Sequence, residues 1–203
     1  MRAFLAGSTG AIGRQLVPRL VAAGHEVHGM TRSESKRALI EELGAVAVVA
    51  DALEADQVAE AVARARPEVI VHELTAIPES LDMRHVEREF ELTNRLRVEG
   101  TDHLLSAGQA VGVKRFVAQS NIAAYTMTGS GVKSEEDSFG ADLGGPGAAN
   151  VAAIRHLEEA VLGATWTEGI ALRYGWFYGP GTSMAPGTEI YEMVRKRKFP
   201  LVG

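Results

Sequence analysis

The chain has no cysteine. That excludes disulfides, thiolate metal sites and a cysteine nucleophile, and it fits a reducing, cytoplasmic setting. Nor does any apolar run approach the roughly 18 residues that a membrane-spanning helix needs. The opening apolar segment breaks at Gly7, too early for a secretory leader. Basic charge is in deficit: 21 Lys and Arg stand against 26 Asp and Glu, a formal net charge of −5. Without a broad positive field the chain has no means of gathering nucleic acid or an anionic membrane surface, so the expected partner is a small molecule. A metal site is not expected either. "HELTA" has Ala76 where a zinc-binding H-E-x-x-H motif needs its second histidine, and His25 and His28, three apart on a strand, face opposite sides. There is no internal repeat, and 203 residues suffice for one good core.

What is present is glycine at a particular spacing. "MRAFLA" reads as a buried strand that runs into "GSTGAIG", with Gly7, Gly10 and Gly13 three apart. Ile12, Leu16, Leu20 and Val21 then recur at helical spacing until Gly24 stops them. Pro18 inside this stretch predicts a bend. At a strand-to-helix turn, Gly7 permits the tight turn and Gly13 lets the helix lie close. Gly10 leaves room for a phosphate to reach free N–H groups at the helix start. The bland alternative is a glycine-rich turn with no ligand. No Gly-Lys-Ser/Thr follows, so the loop is not a P-loop.

The remainder alternates. Strands are expected at "HEVHGM", "AVAVVA", "EVIVHEL", "KRFVAQ" and "GIALRYG", with helices over 33–43, 54–65, about 82–109, 151–162 and about 187–197. Such alternation predicts a Rossmann-type α/β fold: a doubly wound parallel sheet with helices on both faces, binding ligands beyond the carboxyl ends of its strands. The Gly- and Ser-rich stretch "TGSGVKSEEDSFGADLGGPGAAN" is too long for a plain connector and reads either as a lid or as disordered chain.

With these motifs in order, the chain resembles the extended branch of the short-chain dehydrogenase/reductase superfamily, the epimerase/dehydratase-like group. The resemblance rests on "GSTGAIG", "VVADALEAD", "TNRLRVEGTDHLLSAGQAVGVKRFVAQS" and "LRYGWFYGPG". It implies an NAD(P) site built from Gly7, Thr9, Gly10, Ala11, Ile12 and Gly13, with Asp51 and Ala52 at the adenine. Leu74, Thr75, Asn94, Gln119 and Tyr174 complete the site, Asn94 also supporting the active-site backbone. Two long helices paired with a second copy would give the family's homodimer. NAD-using members carry an acid at the end of the second strand. Here Thr31 is followed by Arg32, with Lys36 and Arg37 beyond, which favours NADP(H) over NAD(H). The rival reading is that these cations are a solvated helix start.

Two departures matter. The family uses a Ser or Thr and a Tyr-x-x-x-Lys pair, in which the Tyr is the acid/base and the Lys lowers its pKa. In "QSNIAAY", Asn121 falls where the catalytic hydroxyl belongs, while "NVAAI" puts Asn150 at the Tyr and Ile154 at the Lys. Ser120 and Tyr125 are then the first candidates for a proton donor, ahead of Tyr174 and Tyr178. His72 and Glu73 close the fourth strand near the cofactor, where a structural role is the simpler reading. The second departure is the end of the chain, "RKRKFPLVG", where the family continues into a substrate-binding part. The chain is therefore expected to be a single domain over 1–203 with that part absent or truncated. The expected function is an oxidoreductase reducing a small organic substrate. An NADP(H) sensor without chemistry is the alternative, and a nucleotide-sugar epimerase or dehydratase ranks last because it needs the tyrosine base.

Overall fold

A computed structural model describes residues 1–78, 85–122, 125, 131–137, 147–182 and 184–198. Six strands form one sheet: β1 (Arg2–Ala6), β2 (Glu26–Thr31), β3 (Val46–Val49), β4 (Val69–His72), β5 (Arg115–Asn121) and β6 (Glu168–Tyr174). All pairings are parallel and the spatial order is β3-β2-β1-β4-β5-β6. This is the doubly wound arrangement expected from the alternation. Chain order reverses between β1 and β4, so a crevice opens beyond the carboxyl ends of those two strands.

The central strand explains itself. β1 is buried on both faces after Arg2, because helices cover both sides of a parallel sheet. On one face Leu5, Val17, Val27, Ile40 and Val71 pack between the sheet and helices α1 (Gly13–Ala22) and α2 (Arg37–Glu42). On the other, Phe4, Ile70, Phe116, Val62, Leu104 and Leu157 join the sheet to α3 (Ala55–Ala65), α5 (Thr101–Val111) and α6 (Ala148–Gly163). Each fully buried aliphatic or Phe side chain contributes about 1.5–3 kcal/mol. α1 runs through Pro18 as one helix, although Pro18 has no N–H to give the Arg14 carbonyl.

Several expected elements differ. The helix over 33–43 is a 3₁₀ turn at Glu34–Lys36 followed by the shorter α2. The single long helix is two: α4 (Val86–Arg95) and α5, separated by a π-helical turn over Leu96–Gly100. Its expected start at 82 lies outside the described residues. A π turn inserts an extra residue, so a constant 3.6 period cannot register it. α6 begins three residues earlier than expected, after Gly147 at φ +97°. α7 (Glu189–Arg195) is capped by the Thr188 hydroxyl, which accepts the Tyr191 N–H. Of the Gly- and Ser-rich stretch, 128–130 and 138–146 lie outside the described residues. Among the described residues no helix is long and apolar enough to cross a membrane.

Candidate functional site

The glycine loop joins β1 to α1 at the crevice. Gly7 sits at φ +93°, and a Cβ there would lie 2.5 Å from the Glu73 carbonyl oxygen, so β4 closes against the loop. A Cβ on Gly13 would meet the Gly7 carbonyl at 2.4 Å and Ser8 at 2.6 Å. Gly13 therefore lets the helix approach the loop itself rather than a strand. Ser8, fully buried, pins the turn by donating to the Met30 carbonyl at 2.9 Å. Gly10 differs: a Cβ there meets only the Gly7 oxygen, at 3.3 Å, and the residue faces solvent. Ile12 caps α1 without a side-chain bond. Among the described residues no acceptor takes the N–H of Ala11 or Ile12. Bare amides at a helix start, with an open space left by Gly10, suit a phosphate. Thr9 is half-buried, and its carbonyl accepts the Arg14 side chain at 2.9 Å.

Beyond β2, Arg37 is paired with Glu34 at 2.6 Å, which holds that carboxyl below its usual range. Arg32 and Lys36 are exposed and, among the described residues, have no acidic partner. Beyond β3, Asp51 caps its own turn: its Oδ1 accepts the Leu53 N–H at 3.0 Å, and its N–H goes to Gln57. Ala52 is buried and its carbonyl bonds His103 at 2.9 Å.

At the end of β4, His72 and Glu73 are both buried. The His72 Nδ1 accepts the Leu74 N–H at 3.2 Å, so the ring proton is on Nε2, which faces the Thr101 hydroxyl at 3.0 Å. Burial, with the nearby Arg97 charge, pushes His72 down to about 4, so the ring is neutral. Glu73 has no such set of partners. Its Oε1 accepts the Tyr174 hydroxyl at 3.2 Å, and its Oε2 is buried and has no partner among the described residues. Burial pushes this carboxyl up to about 7 and Tyr174 up to about 12. Leu74 is half-buried and Thr75 exposed beside them. Asn94 leads into the π turn with its Oδ1 buried and unpartnered.

The expected catalytic residues lie elsewhere. Ser120 is 1% exposed, and its hydroxyl donates to Glu158 of α6. Arg173 forks onto both oxygens of Glu158, at 2.9 and 2.8 Å, and its guanidinium lies 4.7 Å from the centre of the Tyr125 ring. Ser120 and Tyr125 thus share one cluster, built around an ion pair that no motif revealed. Asn121 ends β5 beside Tyr174, and Gln119 precedes it half-buried. On α6, Ile154 is fully buried, and Asn150 accepts the buried Arg97 guanidinium at 2.5 Å. Neither Tyr nor Lys occurs in α6. Tyr178 is 86% exposed, so it packs in no core. The buried Arg97 had no sequence signal, because its place depends on the π turn.

Comparison with known proteins agrees with this geometry. A family described as NAD(P)H-binding matches residues 7–189. The chain is 41% identical to a Streptomyces 3-diazoavenalumate denitrifying reductase, over 98% of this chain and 64% of that protein. It is 33% identical to a 3-beta-hydroxysteroid dehydrogenase of Mycolicibacterium neoaurum, over 70% of this chain and 36% of that one. Among solved structures, UDP-glucose 4-epimerase of Thermus thermophilus in complex with NAD aligns at TM-score 0.72 and 26% identity, covering 93% of this chain and 59% of that one. The chain thus spans less than two thirds of the length of these relatives.

Proposed function

The chain belongs to the NAD(P)H-binding family, and from that premise we propose that it is an NADP(H)-dependent reductase serving an electron-poor small organic substrate without a Tyr–Lys acid–base pair. The observation that carries this reading is α6, which presents an amide at Asn150 and a buried hydrocarbon at Ile154. Neither group takes or gives a proton near neutrality. A bound nicotinamide would supply hydride. A plain ketone also demands a proton as its oxygen becomes an alkoxide, and this helix offers none. An iminium carbon needs no proton, and an activated C=C needs it only late. A diazonium carbon needs none: a C–H bond forms as the C–N bond breaks, and N₂ leaves. The name of the Streptomyces relative supports the last class.

The chain's own groups serve binding. The Ala11 and Ile12 amides would hold the pyrophosphate, and Arg32 and Lys36 a 2′-phosphate. Arg37, already paired with Glu34, is not needed for that task.

The test is titration with NADPH and NADH, then a panel of diazonium, iminium, enone and ketone compounds followed by loss of nicotinamide absorbance above the enzyme-free rate. NADPH should bind at least about tenfold more tightly, one charged pair being worth that much. Diazonium or enone should be reduced and ketone spared, with N₂ released in step with nicotinamide oxidation for the diazonium. Tight binding without turnover across the panel would instead establish the second reading, an NADP(H) sensor, which the inert Asn150 and Ile154 also suit. Equal affinity for NADH would remove the role given to Arg32.

A further inference from the structure

Among the described residues two carboxyl groups are buried, Glu158 and Glu73. Glu158 is answered by Arg173 and Ser120. Glu73 keeps one oxygen shielded from solvent and without a partner among the described residues. An unmet carboxyl oxygen inside a protein is costly, and a residue there calls for a reason. Its position supplies one. The Glu73 N–H bonds the Ala6 carbonyl at 2.8 Å, continuing the β1–β4 ladder into the crevice. Its own carbonyl lies directly against Gly7. The Glu73 backbone is therefore fixed against the glycine loop, at the point where strand order reverses, while its side chain meets Tyr174 of β6.

We propose that Glu73 couples cofactor binding to proton uptake: its carboxyl, shielded from solvent in the unliganded chain, turns as a dinucleotide lodges against the glycine loop, and its protonated Oε2 then bonds an oxygen of that ligand. This deepens the cofactor reading above and rests on it. The electrostatics favour the neutral form in the complex. A pyrophosphate brings negative charge to the corner that Glu73 borders, so an ionised Glu73 repels it while a protonated one donates to it. Among the described residues no cation bonds Glu73, and the Arg97 charge felt by His72 is not among the groups that shift Glu73. The titratable group facing Glu73 from β6 is the Tyr174 hydroxyl. The β1 side meets Glu73 with backbone, and Arg14 of α1 turns to the Thr9 carbonyl. β5, between Glu73 and Tyr174, ends in uncharged Gln119, Ser120 and Asn121. His72, on β4 itself, turns to α5 and is neutral. With the carboxyl already raised to about 7, both protonation states are populated near neutrality, and a ligand that prefers one of them shifts the balance. By reciprocity, a ligand that binds the protonated state takes up a proton from solvent wherever the free protein has lost it.

Isothermal titration of NADPH into the whole chain, from about pH 6 to 9 in buffers of different ionisation enthalpy, reads this directly. NADH serves as second ligand, because the 2′-phosphate of NADPH itself titrates near about 6. With both ligands, uptake should approach one proton above about pH 7.5, and affinity should fall about tenfold per pH unit there. Glu73→Gln, which keeps a donor and cannot ionise, should abolish the uptake and hold affinity near its low-pH value. Tyr174→Phe should move the transition to higher pH, because the Tyr174 bond favours the ionised carboxylate. That variant keeps the test decisive if Glu73→Gln does not fold. Binding without uptake, or with uptake unchanged in Glu73→Gln, overturns the linkage and leaves the cofactor reading standing. No binding of either nucleotide at any pH overturns both.

Discussion

The carboxyl edge of this sheet holds two regions that solve the same problem in opposite ways. Around β5, β6 and α6, a buried carboxylate is met in full: Glu158 takes a fork from Arg173 and a hydroxyl from Ser120, and Tyr125 stacks on the cation. Around β1 and β4, Glu73 takes one bond from Tyr174 and leaves an oxygen bare, beside a loop whose Ala11 and Ile12 amides are also unmet. In the first region Ser120, Glu158, Arg173 and Tyr125 engage one another. The second is incomplete in groups suited to an anion and an acceptor. The resemblance to dehydrogenases places catalysis near Ser120, yet Ser120 is satisfied, and among the described residues the buried side-chain atoms left without a partner are Glu73 Oε2, Asn94 Oδ1 and Thr167 Oγ1. Polar groups left unpaired in a folded chain are better pointers to a ligand than groups whose bonds are already made.

The contrast can be broken most forcefully at Arg173. Arg173→Met should destabilise the protein by about 3–5 kcal/mol in urea unfolding, since it strands the buried Glu158 charge. A loss below about 1 kcal/mol would mean that the closed cluster is no more than a surface pair.

Next comes pH. Glu73 titrates at about 7 when folded against an ordinary 4.5. Its contribution is therefore complete below pH 4.5 and lost as pH rises through 7, a change of about 3 kcal/mol. His72 runs the other way: folded at about 4 against 6.5, its contribution is complete above pH 6.5 and lost as pH falls toward 4, again about 3 kcal/mol. The two slopes oppose each other between pH 4.5 and 6.5, so the wild-type stability curve should be nearly flat there. Glu73→Gln should expose the His72 slope, with stability rising from pH 4 to 6.5, and should stop the loss above it. A Glu73→Gln curve as flat as the wild type would contradict both assignments.

Ser120→Ala should cost about 1.5–3 kcal/mol, the worth of a hydrogen bond to a charged group. Tyr174→Phe, which removes a bond from a half-exposed phenol to a largely neutral carboxyl, should cost about 1 kcal/mol or less. Thermal unfolding at pH 6 orders the pair, and the reverse order would undo the distinction between the regions. Smallest in stability is Gly10→Ala, whose one tight contact is 3.3 Å from the Gly7 oxygen. It should leave the unfolding free energy within about 0.5 kcal/mol of wild type. It should still weaken NADPH by about tenfold or more, one phosphate contact being worth that much. Gly13→Ala, with backbone at 2.4 Å, should lose both.

Legibility followed the range of the interaction. β1, the glycine loop and α1 are adjacent in sequence, so spacing alone placed them, and position in the turn distinguished Gly10 from Gly13. The free Arg32 and the engaged Arg37 sit five apart, yet spacing did not separate them, because Glu34 reaches Arg37 only once the 3₁₀ turn forms. The π turn was invisible, since it breaks the periodicity on which a helix is recognised. Ser120 and Glu158 are 38 residues apart, and Tyr174 and Glu73 are 101 apart. No local pattern foretells which of several hydroxyls such a carboxyl will meet.

By itself the sequence determined a parallel α/β sheet with a glycine-rich turn after its first strand, and an α6 that contains neither Tyr nor Lys. These follow from hydrophobic period, glycine placement and residue identity, all local properties. Only the tertiary structure decided that Ser120 is spent on an ion pair while Glu73 is left one bond short. That outcome depends on which side chains the crossovers bring together at one edge of the sheet, and on how completely their burial excludes water.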